Sequence, residues 1–193
     1  YASVYKPSYK SRVKNLVKIS DASDIINGYV GAAPINSNFG ISGLTAVSDG
    51  TGGSFTLTKR TTNNTASGGY ERNRLDMQRN AFQLSCITPA TSQTYLQMVF
   101  EVDISPSKIQ GVTSCLSFIA KSYTSGGVLL TGTIVSPSGI NTAGDTDVLV
   151  ASDGNFYRYF IHFRVEPMTL GANLDSPDKV LVNINLPVGK VFD

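Results

Sequence analysis

Apolar and polar residues alternate along most of this chain, the signature of strands with one face buried and one face wet. The longest run is Thr94–Ile104, where Leu96, Met98, Phe100, Val102 and Ile104 recur at period two. A second long run spans Phe156–Val165. There Phe156, Arg158, Phe160, His162 and Arg164 share one face, while Tyr157, Tyr159, Ile161, Phe163 and Val165 share the other, more apolar, core face. Ser54–Thr58 alternates after the breaker Asp49-Gly50-Thr51-Gly52-Gly53. Phe82–Ile87, Thr113–Ala120, Gly127–Val135, Val148–Ala151 and Val180–Leu186 read as further strands. Helical periodicity is nearly absent. Asp21–Asn27 is the one candidate, a single turn begun by an Asp or Ser cap. With no regular helices between strands, a parallel βαβ architecture is excluded. The pattern predicts an all-β fold: an antiparallel β-sandwich, jelly-roll-like, with eight or nine strands. No repeat at 20–50 residues points to a propeller or solenoid.

Composition narrows the class. The 193 residues suit one domain, with 15–193 as the sandwich and 1–14 as a basic connector or arm. Charged residues are 16%, against ~25% in a typical domain, and hydrophobic residues are 41%, which disfavours disorder and coiled coil. No apolar run approaches the ~18–20 residues of a membrane-spanning helix, so no membrane partner is expected. The sequence opens on Tyr1 with no signal-peptide core, the expectation for a fragment or processed product. Net charge is +2, too small to imply nucleic acid. Its distribution is uneven: residues 1–18 carry Lys6, Lys10, Arg12, Lys14 and Lys18 with no acid. The arm reads either as a solvated linker or as a contact for an acidic partner.

Catalytic sets are sparse. One histidine and no CxxC argue against zinc. Cys86 and Cys115 both sit in apolar strand contexts and read as buried reduced thiols, with a disulfide open only if their strands pair. His162 lies on the polar strand face with Arg158 and Arg164, better suited to a surface than to a catalytic base. The i, i+2 acid pairs Asp145/Asp147 and Glu101/Asp103 are the candidates for glycoside cleavage. Asp145 and Asp147 are also weak candidates for a structural Ca²⁺. No other cofactor is indicated, and the Gly-rich stretch 50–53 lacks the Lys-Ser/Thr of a phosphate-binding loop.

The densest polar cluster is Tyr70-Glu71-Arg72-Asn73-Arg74-Leu75-Asp76-Met77-Gln78-Arg79. Sugars are held by planar hydrogen-bonding side chains beside an aromatic face. Tyr70, Arg72, Asn73, Arg74 and Asp76 supply both, and the arginines suit an acidic polysaccharide. The competing reading is a solvated strand or a subunit contact.

Three stretches carry a family resemblance. They are Asn15-Leu16-Val17-Lys18 ahead of a Gly/Thr-rich segment and the strand from Ser54, then Gly154-Asn155-Phe156-Tyr157-Arg158-Tyr159-Phe160, and finally Val182-Asn183-Ile184-Asn185-Leu186-Pro187-Val188-Gly189-Lys190. In this order they resemble the carbohydrate-binding-module-like β-sandwich at the C-terminus of bacteriophage tail spikes and tail fibres. The chain departs from that pattern at Phe156, where the family often has Trp, and at Pro187-Val188, where it usually carries Glu. The resemblance implies a receptor-binding and oligomerising module, a homotrimer in a virion tail appendage, acting at the host cell surface on a bacterial surface polysaccharide. It implies no catalysis by this segment, with any depolymerase activity upstream or on the sandwich face. The alternative is a capsid or decoration jelly roll with a basic N-terminal arm.

Overall fold

The structure is a computed structural model that describes residues 28–38, 43–61, 80–102, 104–136, 140–167 and 180–193. The 1–14 arm, the Asn15–Lys18 element and the Asp21–Asn27 turn lie outside these residues. The described chain forms twelve strands in the order β1 (Tyr29–Ala33), β2 (Asn36–Ser37), β3 (Leu44–Ser48), β4 (Gly52–Thr61), β5 (Asn80–Thr88), β6 (Leu96–Val102), β7 (Thr113–Ala120), β8 (Val128–Val135), β9 (Asn141–Ala143), β10 (Val148–Val150), β11 (Tyr157–Arg164) and β12 (Val180–Asn185). A single helical turn, α1 (Pro106–Ile109), links β6 to β7. All strand pairings are antiparallel.

The larger layer is a seven-stranded sheet in the order β10-β8-β12-β6-β3-β2, with β9 also paired to β8. Facing it are a three-stranded sheet, β1-β4-β5, and the two-stranded ribbon β11-β7. The architecture is the expected antiparallel β-sandwich. β6 shows why: Leu96, Met98, Phe100 and Val102 are buried, and Gln97, Val99 and Glu101 between them are only half-buried. Phe55 and Leu57 of β4, Cys86 of β5 and Ile161 and Phe163 of β11 join the same core.

Two glycines set the ribbon's approach to the large sheet. A Cβ on Gly132 of β8 would stand 2.8 Å from Phe163 Cζ, and one on Gly144 would stand 2.4 Å from Ile161 Cγ2. Only hydrogen at both positions lets these two side chains seat against β8 and β9.

A short segment joins the two smaller sheets. Phe192 is buried and exchanges both backbone hydrogen bonds with Cys86 of β5, at 2.8 and 3.0 Å. Asp193 then docks beyond β7. Its carbonyl oxygen accepts from Tyr123 N at 2.8 Å, Ser122 Oγ at 2.8 Å and Thr124 Oγ1 at 3.2 Å. Its carboxylate accepts from Ser85 Oγ at 2.7 Å and from Gln83 Nε2.

Several sequence expectations are corrected. β1, β2, β3 and β9 were not among the expected strands; β1 and β3 lie in a Gly/Ala/Ser-rich region, and β2 and β9 are two or three residues long. Tyr157, expected on the core face, is exposed at the start of β11, where its hydroxyl donates to Asp153. Cys115, expected to be buried, is exposed, because the outer face of β7 carries it; Cys86 is buried, and both thiols are free.

Candidate functional site

The five residues expected to bind glycan, Tyr70, Arg72, Asn73, Arg74 and Asp76, lie outside the described residues, as does Asp103. Glu101 is half-buried on the outer face of β6. Asp145 and Asp147 are both exposed, and Asp145 N donates to His162 O at 2.8 Å, which pins this loop to β11. Among the described residues no group of three His, Cys, Asp or Glu side chains gathers for a metal ion.

Two sheet faces remain as candidate surfaces. The outer face of the seven-stranded sheet carries a hydrogen-bonded polar row. Gln97 Nε2 donates to Asn185 Oδ1 at 2.8 Å, Asn185 Nδ2 to Thr131 Oγ1 at 2.9 Å, and Asn183 Nδ2 to Gln97 Oε1 at 3.4 Å. Asn183 Oδ1 is buried without a partner. The neighbours that share this face by register are Thr45, Val47, Val99, Thr133, Leu181 and Val135. None is aromatic, so these central strands present no ring for a sugar to stack on.

The outer face of the β7–β11 ribbon is different in kind. Register places Arg158 opposite Ile119, Phe160 opposite Ser117, His162 opposite Cys115 and Arg164 opposite Thr113. Directly opposed residues in an antiparallel pair project from the same face. One residue past the last ladder pair, Lys121 meets Phe156, with Nζ 4.7 Å from the ring centroid. The same Nζ lies 4.6 Å from the ring centroid of Tyr123. An ammonium held over two rings at this distance is a cation–π arrangement. Tyr123 is 61% exposed and Phe160 49%, so both rings offer real surface to a ligand.

The turn before β11 carries a carboxylate on the Tyr157 side of the strand. Asp153 Oδ1 accepts from Asn155 N at 3.0 Å, closing an Asx turn, and Oδ2 accepts from the Tyr157 hydroxyl at 2.5 Å. The tyrosine hydroxyl first, and the Asn155 amide second, hold the Asp153 carboxyl below its ordinary range. Tyr157 packs edge-on to Tyr159, with centroids 6.5 Å apart, and Tyr159 tilts against Phe118 at 5.9 Å. The Tyr159 hydroxyl accepts from Ala151 N at 2.8 Å, which ties the ring to the end of β10. Tyr157 and Tyr159 have the opposite parity to Phe156 and Phe160, so these contacts brace β11 on its inner side, while Tyr123 and Phe160 stand exposed on the outer one.

As chemistry, this surface is suited to binding. Planar rings, an ammonium and guanidinium groups match what a sugar's apolar faces and hydroxyls require. Partial burial pushes the Cys115 thiol up, the reverse of what a thiolate nucleophile needs.

The sequence alone grouped Phe156, Arg158, Phe160, His162 and Arg164 on one face. It missed Lys121, Tyr123 and Asp153. Alternation in Thr113–Ala120, extended by three residues, puts Lys121 and Tyr123 on one side. Only the pairing of β7 with β11 brings that side against Phe156.

No protein-family model matches the chain, and no curated protein matches it. Among solved structures, it is similar to the family 11 carbohydrate-binding module from Clostridium thermocellum in complex with a β-1,3-1,4-mixed-linked tetrasaccharide. The match has a TM-score of 0.40 and 15% identity, and covers 84% of this chain and 90% of that one.

Proposed function

We propose that this chain is a glycan-binding β-sandwich module that does no chemistry on its ligand. The observation that carries the reading is the outer face of the β7–β11 ribbon, where Lys121 sits over the exposed Tyr123 ring and the half-buried Phe156 ring, and the exposed Phe160 follows along β11. Exposed rings flanked by oriented polar groups give stacking and hydrogen bonding together, the two terms that sugar recognition combines. The tail-spike and tail-fibre resemblance supplies the setting. In it the module is the homotrimeric receptor-binding end of a virion tail appendage, and the ligand is a bacterial surface glycan.

A glycan array with the wild-type chain and with Tyr123→Ala tests the reading. The expected result is retention of a defined glycan group by the wild type, weakened about tenfold or more by the loss of one stacking ring, a change of about 1.4 kcal/mol. An array with no retained glycan, or retention untouched by both Tyr123→Ala and Phe160→Ala, overturns it. Light scattering tests the setting: a species of three chains supports it, and a monomer counts against it.

A further inference from the structure

We infer that the ligand of the β7–β11 face is an anionic polysaccharide, laid lengthwise along the ribbon. This rests on the glycan-binding reading and gives it a substrate class. From Phe156 to Arg164 the outer face of β11 runs eight residues, about 26 Å at the usual strand rise. Along it rings and basic side chains are interleaved: Phe156 beside Lys121, then Arg158, Phe160, His162 and Arg164. The opposing positions on β7 are Ile119, half-buried across from Arg158, and then Ser117, Cys115 and Thr113, all small and all exposed. From Phe160 to Arg164, long side chains on β11 and short ones on β7 form a shelf with a shallow floor, a shape that admits a polymer side-on.

The charge of this shelf is one-sided. Lys121, Arg158 and Arg164 give +3, whereas the 193 residues together give only +2. Asp153, in the turn before β11, is taken up by the Tyr157 hydroxyl and Asn155 N, and at the far end the Glu166 carboxylate lies 3.6 Å from Arg164 Nε. Both of those side chains are about three-quarters exposed, at 76% and 74%, so the pair is screened and readily exchanged for another carboxylate. Arg158 Nη1 reaches Ser117 Oγ only at 3.4 Å, which leaves most of its fork free for a bidentate acceptor. A neutral glycan would leave these guanidinium groups unused, and carboxylate or sulfate groups would pair with them. A second copy of this chain docked about a two-fold axis would set the same cations against each other, which disfavours self-association through this face. A near-neutral chain also lacks the broad basic field of a nucleic-acid binder.

The test is a binding titration of the full chain against polygalacturonate and dextran sulfate, each paired with its neutral counterpart, methyl-esterified pectin and dextran. Oligo-dT serves as a competing polyanion. Proteins compared are the wild type and Arg158→Gln/Arg164→Gln, with thermal melting as the fold control; both arginines are exposed, so the melting temperature should not move. The inference expects acidic probes to bind about tenfold or more tighter than their neutral partners. It expects that binding to weaken steeply between about 50 and about 300 mM salt, and the double variant to lose about tenfold on acidic probes. Neutral probes binding as well as acidic ones overturn the inference and leave the glycan reading standing. Oligo-dT binding tighter than every polysaccharide overturns it in favour of nucleic acid. No binding to any acidic or neutral polysaccharide here or on the array overturns both readings together.

Discussion

Replacing Gly132 with alanine tests the packing that sets the ribbon on the large sheet. The new Cβ would lie 2.8 Å from Phe163 Cζ and 3.0 Å from Ile161 Cγ2. Comfortable carbon contact begins near ~3.5 Å, so Phe163 must retreat by about 0.7 Å. Both side chains are fully buried, with no room to give way cheaply. Overpacking of this kind costs about 1–3 kcal/mol. Removing a strand glycine returns about 0.5–1 kcal/mol of backbone entropy. The net expectation is a loss of about 1–2 kcal/mol, or a melting temperature lower by about 2–8 °C in a chain of this size. Phe163→Leu removes the clashing ring tip and leaves a void in its place, so by itself it also destabilises. Combined, the two changes should be less harmful than their sum, with a coupling of about 1 kcal/mol. Urea unfolding of the four proteins at a common m-value measures that coupling. Additivity within about 0.3–0.5 kcal/mol would refute the claim that Gly132 exists to admit Phe163.

Other outcomes follow from the same structure. Phe192→Ala removes the ring that anchors the segment between β5 and the 122–124 stretch, and should cost about 3 kcal/mol in thermal unfolding, the low end for a buried Phe because the site is peripheral. A thiol reagent should titrate one cysteine per native chain, Cys115, and both after denaturation; rapid labelling of two in the native state would contradict the burial of Cys86. Asp49 is held below its ordinary 3.8 first by the Thr94 hydroxyl and then by the Tyr95 amide. Its folded value is depressed, so its stabilisation is present above the ordinary carboxylate range and is lost as pH falls through the depressed value. Asp49→Asn should therefore show a smaller drop in melting temperature between neutral pH and about pH 3 than the wild type, and an equal drop would remove Asp49 from the account.

Much of this fold was legible in the sequence because alternation is a local property. A residue in a strand faces its neighbours' opposite side whatever the strand pairs with, so Leu96, Met98, Phe100 and Val102 declare a buried face unaided. The extents of β7, β8 and β12 followed for the same reason, as did the sandwich class. The weak strands did not announce themselves. β1 and β2 hold too few large apolar residues, and β9 is too short, for periodicity to register; they exist because partner strands supply the missing hydrogen bonds. Strand ends were also beyond reach: Tyr157 follows the apolar parity of β11 yet stands exposed, where its hydroxyl donates to Asp153. The sequence placed Arg158, Phe160, His162 and Arg164 on a common face. Only the tertiary structure decided that this face is solvent-exposed, that small β7 residues lie opposite Phe160, His162 and Arg164, and that Lys121 and Tyr123 extend it. Those facts depend on pairing between segments some forty residues apart, which the free energy of the whole core selects and no local pattern encodes.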